Sequence, residues 1–227
     1  MSVADLRHPL LDAAGVAHAF GVRGAREPAP LVRPKQVHGT VVARVVGGAS
    51  APHEADAIVS TLPDVAVGVV TADCMPLLVA SADGRVVAAI HAGWRGLAAG
   101  VIGAGIASLR ATAPGARFVA AIGPCIRACC YEIDGPVVDA LATRFGEALD
   151  AALAPSRPGH HRLDLVALAR LDLARAGLAA DAIGALDDAC THCDPARFHS
   201  YRREGKGAGR LLHHVAARRV DTPDGSL

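Results

Sequence analysis

Aromatic residues, excess charge of one sign and long apolar runs are all scarce in this chain of 227 residues. Aromatics make up only 3% of residues, so the chain offers few of the stacking surfaces that single-strand nucleic-acid binders use. Lysine and arginine number 23 against 22 aspartates and glutamates, which leaves no global field to attract nucleic acid or an anionic membrane. Any anionic substrate must therefore meet local charges.

No apolar run approaches the ~18 residues of a membrane span. Residues 1–11 mix Asp5, Arg7 and His8 with apolar residues, so they form no continuous apolar signal region. We therefore expect a cytoplasmic protein with no membrane partner. There, the six cysteines are expected to be reduced thiols, available as metal ligands, nucleophiles or small apolar side chains.

Periodicity predicts both strands and helices within one domain, expected to cover residues 1–227. Short β-branched runs predict strands at residues 41–46, 57–60, 66–72, 77–81, 86–91, 118–122, 182–186 and 210–216. Apolar spacing predicts helices at residues 95–111 and 136–149, and a third that Asp164 caps and that ends near Gly177. Strands and helices mix without strict alternation, which favours an α+β fold: a layered α/β/β/α sandwich with mixed sheets.

The dipeptide Asp83-Gly84, between two of these strands, predicts a tight hairpin. In the register that this turn sets, Ala82 lies opposite Arg85, and the numbers of any two paired residues sum to 167. Cys74 then lies opposite Gly93. His91 is two residues before Gly93 and therefore points to the same face of the sheet. Such diagonal positions are ~7 Å apart, a span that a thiolate and an imidazole close around one Zn²⁺. A bulge at Pro76 would change this register.

Several short segments occur in an order that carries a family resemblance. They are Gln36-Val37-His38-Gly39, Thr71-Ala72-Asp73-Cys74-Met75-Pro76, His91-Ala92-Gly93-Trp94-Arg95-Gly96, Ile122-Gly123-Pro124, Cys130-Tyr131-Glu132-Ile133, Leu163-Asp164-Leu165, Cys190-Thr191, Ser200-Tyr201-Arg202-Arg203 and Gly209-Arg210. Together they resemble the motifs of the laccase-domain family, also called polyphenol oxidase-like or multicopper polyphenol oxidoreductase. The resemblance covers residues from about 16 to 215.

The resemblance implies a zinc-dependent purine nucleoside phosphorylase that also deaminates adenosine, acting on adenosine, inosine, guanosine and methylthioadenosine. It implies His38, Cys74 and His91 as metal ligands and catalytic residues, with the open fourth position typical of catalytic zinc. Copper would bind a similar site more tightly under the usual affinity order. Asp73 is a further catalytic candidate, although in a regular strand it points to the opposite face. The implied partners are a purine nucleoside and phosphate, and a monomer or homodimer is expected.

Phosphorolysis also requires groups that hold phosphate and the departing base. Arg95 and the amides that open the following helix are the candidate phosphate donors. Tyr131 and Arg202 are candidate substrate-binding residues, with a structural hydrogen bond as the alternative.

One segment departs from the family pattern. Residues 21–34 form a shorter stretch than in relatives, and an Asn-Arg element is missing from it. We expect Arg23, Arg26 or Arg33 to substitute for that arginine, or the substrate preference to differ.

The other cysteines are interpreted more simply. Cys125, Cys129 and Cys130 are expected to be packing residues, because buried reduced cysteine is common. Cys190-x-x-Cys193 resembles half of a zinc site, but no second such pair lies nearby in the sequence. Packing or chance is therefore the favoured interpretation of this pair.

Two other classes of function stay open. One is a metal-free hydrolase with Cys74 as nucleophile and His91 as base, in line with the resemblance of the fold to cytotoxic necrotizing factor deamidases and the association of relatives with editing of peptidoglycan precursors. A second histidine, His38, converging on the thiol would favour a metal instead.

The other class is a non-catalytic metal-binding or partner-binding module, which should show a fourth protein ligand and no pocket. Polyphenol oxidase activity is discounted, because the adjacent pairs His160-His161 and His213-His214 do not resemble the His-x-His ligand pairs of multicopper oxidases.

Overall fold

Two stacked β-sheets organise the chain in the computed structural model, which describes residues 5–45 and 54–219. The strands are β1 (Ala17–Phe20), β2 (Leu31–Val32), β3 (Val42–Val45), β4 (Ala57–Ser60), β5 (Ala66–Thr71), β6 (Met75–Ser81), β7 (Val87–Ala92), β8 (Phe118–Ile122), β9 (Glu132–Asp134), β10 (Leu153–Pro155), β11 (His160–Leu163), β12 (Ile183–Ala185) and β13 (Leu211–Ala216). The α-helices are α1 (Pro9–Ala13), α2 (Trp94–Ala99), α3 (Val101–Thr112), α4 (Gly135–Phe145), α5 (Leu165–Arg175) and α6 (Tyr201–Glu204).

The two larger sheets are both mixed. The six-stranded sheet has the order β12-β8-β6-β7-β4-β3, with parallel pairing of β12 to β8 and of β3 to β4. The four-stranded sheet has the order β1-β13-β5-β2, in which β2 runs parallel to β5. A small antiparallel sheet, β10-β11-β9, lies apart from them in the hydrogen-bonding pattern. The predicted α+β fold with mixed sheets is thus confirmed.

Hydrophobic cores lie on both faces of the six-stranded sheet. Leu77 and Ile90 pack with α3, α4 and α5, whereas Leu78 and Ala89 pack against the four-stranded sheet. Successive residues of a strand point to opposite faces, so both faces of β6 and β7 are apolar apart from Ser81 and His91, and every residue in the two strands is buried. These two central strands form the rigid base from which the loops at one end of the sheet project.

Most predicted elements are confirmed, with changes at their ends. The strands at residues 57–60 and 118–122 have the predicted bounds, and the predicted end at Val46 lies outside the described residues. The Asp164 carboxylate caps α5, since it accepts hydrogen bonds from the N–H groups of Val166 and Ala167. Strands β1, β2, β9, β10 and β11, each of two to four residues, were not predicted.

Two helix predictions need correction. The helix predicted over residues 95–111 is two helices, because Gly100 has a φ of 96° and ends α2 in the left-handed conformation that glycine tolerates. The helix predicted over residues 136–149 ends at Phe145 and continues as a 3₁₀ helix over Gly146–Ala152.

The extent of the core agrees with the prediction of one domain. Two clusters of buried residues, one on each face of the six-stranded sheet, draw members from Ala57 to Ile183 and from Leu11 to Ala217, so the same stretch of chain contributes to both. The predicted domain ends at residues 1 and 227 lie outside the described part of the chain. None of the helices within that part is both long and apolar enough to cross a bilayer.

Candidate metal centre

The hairpin of β6 and β7 has the predicted register and brings its open end to the candidate site. Met75 pairs with Ala92 and Pro76 with His91, so opposing residue numbers sum to 167 and no bulge occurs at Pro76. The observed strand begins two residues before the predicted one, at Met75, and residues 72–74 form a bend rather than the regular strand that the register assumed for Cys74. Cys74 still lies beside Gly93, as the register predicts.

Three side chains converge at this end of the hairpin. The Sγ atom of Cys74 lies 3.7 Å from Nε2 of His38, and the rings of His38 and His91 are 4.8 Å apart between centroids. The potential ligand atoms of all three residues lie within 4.8 Å of one another. In a tetrahedral site with bonds of about 2.1 to 2.3 Å, ligand atoms are about 3.4 to 3.8 Å apart, so small side-chain adjustments close this group around one ion.

Space for an ion depends on a glycine. A Cβ atom on Gly93 would lie 2.9 Å from both Cys74 Sγ and His38 Cδ2, which is closer than real Cβ contacts. Residue 93 is therefore held to glycine by the approach of the two ligand side chains, as expected where backbone borders a binding site. Within residues 5–45 and 54–219, no fourth histidine, cysteine, aspartate or glutamate joins this group.

A buried carboxylate that sequence reasoning missed holds both histidines. Asp56 is fully buried, and it accepts a hydrogen bond of 2.8 Å from Nδ1 of His91. It also accepts from the backbone N–H groups of Val37, His38 and Gly39 at 3.2, 2.9 and 2.6 Å. With Nδ1 of His91 held by the carboxylate, the other ring nitrogen, Nε2, faces Cys74 and the metal position.

The same carboxylate stabilises an unusual backbone. His38 has a φ of 62°, in the left-handed region that residues with a side chain seldom occupy. Three consecutive N–H groups converge on one carboxylate only because the loop turns in this way. Asp56 therefore offsets the cost of the conformation that aims the His38 ring at Cys74.

Electrostatics favours a thiolate at Cys74. Burial opposes ionisation, but hydrogen bonds from His38 and His91 outweigh burial and lower the pKa of the thiol to about 6. Burial also opposes protonation of His91, but the Asp56 carboxylate and Cys74 outweigh it and raise the pKa of the imidazole to about 9. The sulfur is thus charged at neutral pH, as a metal ligand or a nucleophile requires.

Asp73 lies next to this group, but protein donors occupy its carboxylate. One oxygen accepts from Thr191 Oγ1 at 2.5 Å, and the other accepts from Ser200 Oγ at 3.0 Å and from the Arg202 backbone N–H at 2.6 Å. Asp73 has a φ of 86°, so the regular-strand orientation expected for it does not occur. Cys74 follows Asp73 in the bend, and the hydrogen bonds of Asp73 attach this bend to the start of α6.

A cavity of about 710 Å³ opens above the three converging residues. This volume is within the roughly 300 to 1,000 Å³ typical of small-molecule sites. Arg95, Tyr131 and Arg202, the predicted substrate-binding residues, all line the cavity, together with Arg33 and Arg210. A non-catalytic module was expected to show a fourth ligand and no pocket, and the described residues show the reverse.

The cavity wall is strongly basic. Within the described part of the chain, Arg33, Arg95, Arg202 and Arg210 have no ion pair with a carboxylate, whereas Lys35 pairs with Glu54 at 2.8 Å. These four guanidinium groups give the cavity a local positive charge, although the chain as a whole is nearly neutral.

The two arginines among the predicted substrate-binding residues each lie against an aromatic ring. Arg95 lies in the first turn of α2, with its guanidinium 4.3 Å from the centre of the Trp94 ring. The Arg202 guanidinium lies 5.4 Å from the centre of the Tyr131 ring and donates a hydrogen bond to the carbonyl of Glu132. Each arginine therefore stacks on an aromatic ring at the cavity wall.

The structure distinguishes the three arginines proposed to replace the missing family element. Arg33 lines the cavity. Arg23 forms an ion pair with Glu204, and neither Arg23 nor Arg26 is among the lining residues. Only Arg33 is positioned to contact a ligand there.

The remaining cysteines give one confirmation and two corrections, the first being that Cys129 is exposed and is therefore not the buried packing residue that was expected. Cys125 is fully buried, and burial raises the pKa of its thiol to about 12, as expected for a packing residue. The interpretation of Cys190 and Cys193 as a solitary pair is wrong, because the fold brings them to Cys129 and Cys130. Sequence reasoning missed this group because Cys129 and Cys130 are adjacent and lack the usual two-residue spacer.

The chain is similar to known proteins over most of its length. A family model described as multi-copper polyphenol oxidoreductase laccase matches residues 13–218. A purine nucleoside phosphorylase of Pseudomonas aeruginosa is 42% identical to this chain, and the match covers 79% of this chain and 71% of the phosphorylase. Adenosine deaminase RL5, from an unknown prokaryotic organism, is 33% identical over 80% of this chain and 73% of its own. The crystal structure of YlmD from Geobacillus stearothermophilus superimposes with a TM-score of 0.85 at 25% identity, covering 96% of this chain and 98% of that one.

Replacement of Asp56 tests its hold on both histidines. We expect Asp56→Asn to lower the metal affinity of the His38, Cys74 and His91 group by roughly 10- to 100-fold. A neutral amide accepts hydrogen bonds from the His91 ring and from the three backbone N–H groups less strongly than a carboxylate does. The measurement is competition for Zn²⁺ between metal-stripped protein and a chromophoric chelator. Asp139→Asn, at an exposed carboxylate on α4, is the matched control. Equal affinities for the two folded variants would show that Asp56 does not organise the site.

Proposed function

Because this chain belongs to the multi-copper polyphenol oxidoreductase laccase family, we propose that it is a zinc-dependent purine nucleoside phosphorylase that also deaminates adenosine. The observation that carries the proposal is the convergence of His38, Cys74 and His91 beneath a basic cavity. Relatives named purine nucleoside phosphorylase and adenosine deaminase support both activities. The proposed substrates are adenosine, inosine, guanosine and methylthioadenosine.

The donor set supports zinc at this site. Two imidazole nitrogens and one thiolate, with no fourth side-chain ligand in the described residues, are the arrangement of catalytic zinc. Bound there, zinc would supply Lewis-acid chemistry and activate water for attack on a purine carbon. His38, Cys74 and His91 would hold the ion, and Asp56 would orient His91.

Copper fits the same donors, and the usual affinity order favours it. A multicopper oxidase, however, needs further histidine-rich sites. Neither of the two metal-competent groups in the described residues includes His160, His161, His213 or His214. His213 is buried and shares a hydrogen bond of 2.9 Å with the Thr71 hydroxyl. These observations support the proposal of a nucleoside-processing zinc site over that of a multicopper oxidase.

The basic wall suits the phosphate that phosphorolysis consumes. In that reaction, a phosphate oxygen forms a bond to the ribose C1′ atom while the bond from C1′ to the purine nitrogen breaks. Arg33 and Arg95 line the cavity without carboxylate partners in the described residues, so their guanidinium groups are available to hold the phosphate oxygens. The attacking anion and the sugar are then held together, which removes much of the entropic cost of their encounter.

Tyr131 and Arg202 supply the other side of the pocket. Burial raises the pKa of the Tyr131 hydroxyl, so that this group stays protonated and donates a hydrogen bond to the nucleoside. Arg202, fixed at its backbone by Asp73 and at its side chain by Tyr131, faces the same space. These two residues can position the purine base or the ribose.

A metal-free thiol mechanism is the second candidate, and the charge state of Cys74 favours it. A thiolate paired with a protonated His91 is the usual form of a cysteine nucleophile and its base. A thiol nucleophile needs only one base, whereas here His38 also lies 3.7 Å from the sulfur. The second imidazole is why the metal mechanism is preferred.

Removal of a single ligand separates the mechanisms. We expect Cys74→Ala and His38→Ala each to lose one zinc equivalent per chain and to reduce release of adenine or hypoxanthine in phosphate buffer by at least about 100-fold. Metal content is measured by mass spectrometry and product by chromatography. Cys125→Ala and His160→Ala are the matched controls, and both should keep that zinc equivalent.

Two results would contradict this account. Intact turnover of metal-free protein, or of His38→Ala, would favour the thiol mechanism. Wild-type protein that holds zinc at His38, Cys74 and His91 but converts no nucleoside would favour a metal-binding module.

The role of Arg33 in holding phosphate has its own test. We expect Arg33→Ala to raise the KM for phosphate by about 10-fold or more, since a charge-assisted hydrogen bond contributes about 1.5 to 3 kcal/mol. The KM for the nucleoside should change little. Steady-state kinetics with each substrate varied in turn gives both values, and Arg117→Ala, an exposed arginine outside the cavity, is the control. A change confined to the nucleoside KM would place Arg33 against the nucleoside instead.

A further inference from the structure

A second group of thiols lies apart from the three converging residues, and nothing in the proposed function uses it. Sγ of Cys129 is 3.6 Å from Sγ of Cys190 and 3.6 Å from Sγ of Cys193, and Sγ of Cys130 is 3.2 Å from that of Cys193. All four sulfur atoms lie within 4.8 Å of one another. We call these residues the four-cysteine group.

The spacing of the sulfurs suits metal coordination. With Zn–S bonds of about 2.3 Å, the edge of a regular tetrahedron of sulfurs is about 3.8 Å, close to the distances in the group. A disulfide needs its sulfurs at about 2.05 Å, and all four residues are free thiols in the structure. Four sulfurs drawn together without a covalent bond are best explained by a shared ligand.

The backbone holds the two loops of the group in position. Cys125 and Cys190 form a parallel bridge, in which the Thr191 N–H donates to the Cys125 carbonyl at 3.1 Å. The backbone N–H groups of Arg127 and Cys193 donate to the sulfur of Cys190. These two N–H groups orient the sulfur of Cys190 within the group.

We propose that Cys129, Cys130, Cys190 and Cys193 bind one thiophilic metal ion, Zn²⁺ by preference, in a structural site separate from the candidate catalytic centre. Four thiolates complete a tetrahedral shell and leave no position for water or substrate. Soft sulfur ligands in this geometry select zinc or iron over magnesium or calcium. Cys129 and Cys193 are exposed, so an ion can enter from the surface.

The site would stabilise one wall of the cavity. Tyr131, which lines the cavity, directly follows Cys130 in the chain. Thr191, between Cys190 and Cys193, donates to Asp73, which precedes the Cys74 ligand. An ion in the four-cysteine group therefore joins the loop that carries Tyr131 to the loop that supports Cys74.

Counting metal in single variants tests the proposal on the full-length protein. We expect about two metal equivalents per wild-type chain by mass spectrometry that measures zinc, iron and copper together. Cys193→Ser and Cys129→Ser should each lose one equivalent and keep the other, whereas His38→Ala should lose only the other. Cys125→Ala, a cysteine beside the group but outside it, should keep both.

Cobalt provides an independent reading of the ligands. Wild-type protein stripped of metal and reloaded with Co²⁺ should show intense thiolate-to-metal charge transfer, most of which is lost in Cys193→Ser. The same absorption should persist in His38→Ala, so failure of this site is distinguishable from failure of the catalytic one.

Several results would overturn the proposal. One is an unchanged metal content in both Cys193→Ser and Cys129→Ser. Another is a wild-type mass that is two hydrogens lower before reduction and returns to the full value after it, with a disulfide mapped to these cysteines. If the serine variants fail to fold, the rate of thiol alkylation in wild-type protein decides. Coordination predicts that the four thiols are alkylated more slowly in metal-loaded protein than in metal-stripped protein. Equal rates in the two samples would contradict the proposal.

Discussion

The buried carboxylate of Asp56 is the interaction on which the candidate catalytic site depends. A carboxylate removed from water is costly unless donors satisfy it, and here three backbone N–H groups and the His91 ring do so. In return, the left-handed loop at His38 and the ring of His91 are held toward the same point. Loss of that carboxylate would release two of the three proposed ligands together.

A second aspartate plays a parallel part for the third ligand. Asp73 accepts from Thr191, Ser200 and Arg202, so the bend that presents Cys74 is tied to the segment that carries Arg202 into the cavity. The proposed metal position and the cavity wall are thus joined through one carboxylate. The four-cysteine group reaches the same network through Thr191, which gives a physical reason for a structural ion so near a catalytic one.

Features that depend on neighbouring residues could be predicted from the sequence, whereas contacts that depend on the pairing of distant strands could not. The Asp83-Gly84 turn fixes the register of β6 and β7 and hence the meeting of Cys74 with His91, although the bend at residues 72–74 could not be foreseen from β propensity. Asp56 reaches His91 through the pairing of β4 with β7, strands that no short turn connects. Likewise, Cys129 meets Cys193 only because β8 and β12 pair in parallel, which brings the loops that follow them together.

The central claim is that His38, Cys74 and His91 hold one zinc ion that keeps a position open for water or substrate. Anomalous diffraction from crystals of the purified protein, collected on both sides of the zinc absorption edge, tests it most directly. The account predicts a zinc peak at about 2.0 to 2.3 Å from Nε2 of both histidines and from Sγ of Cys74, with no fourth protein atom at bonding distance. No peak among these three atoms in zinc-replete crystals, or a protein side chain in the fourth position, would contradict it.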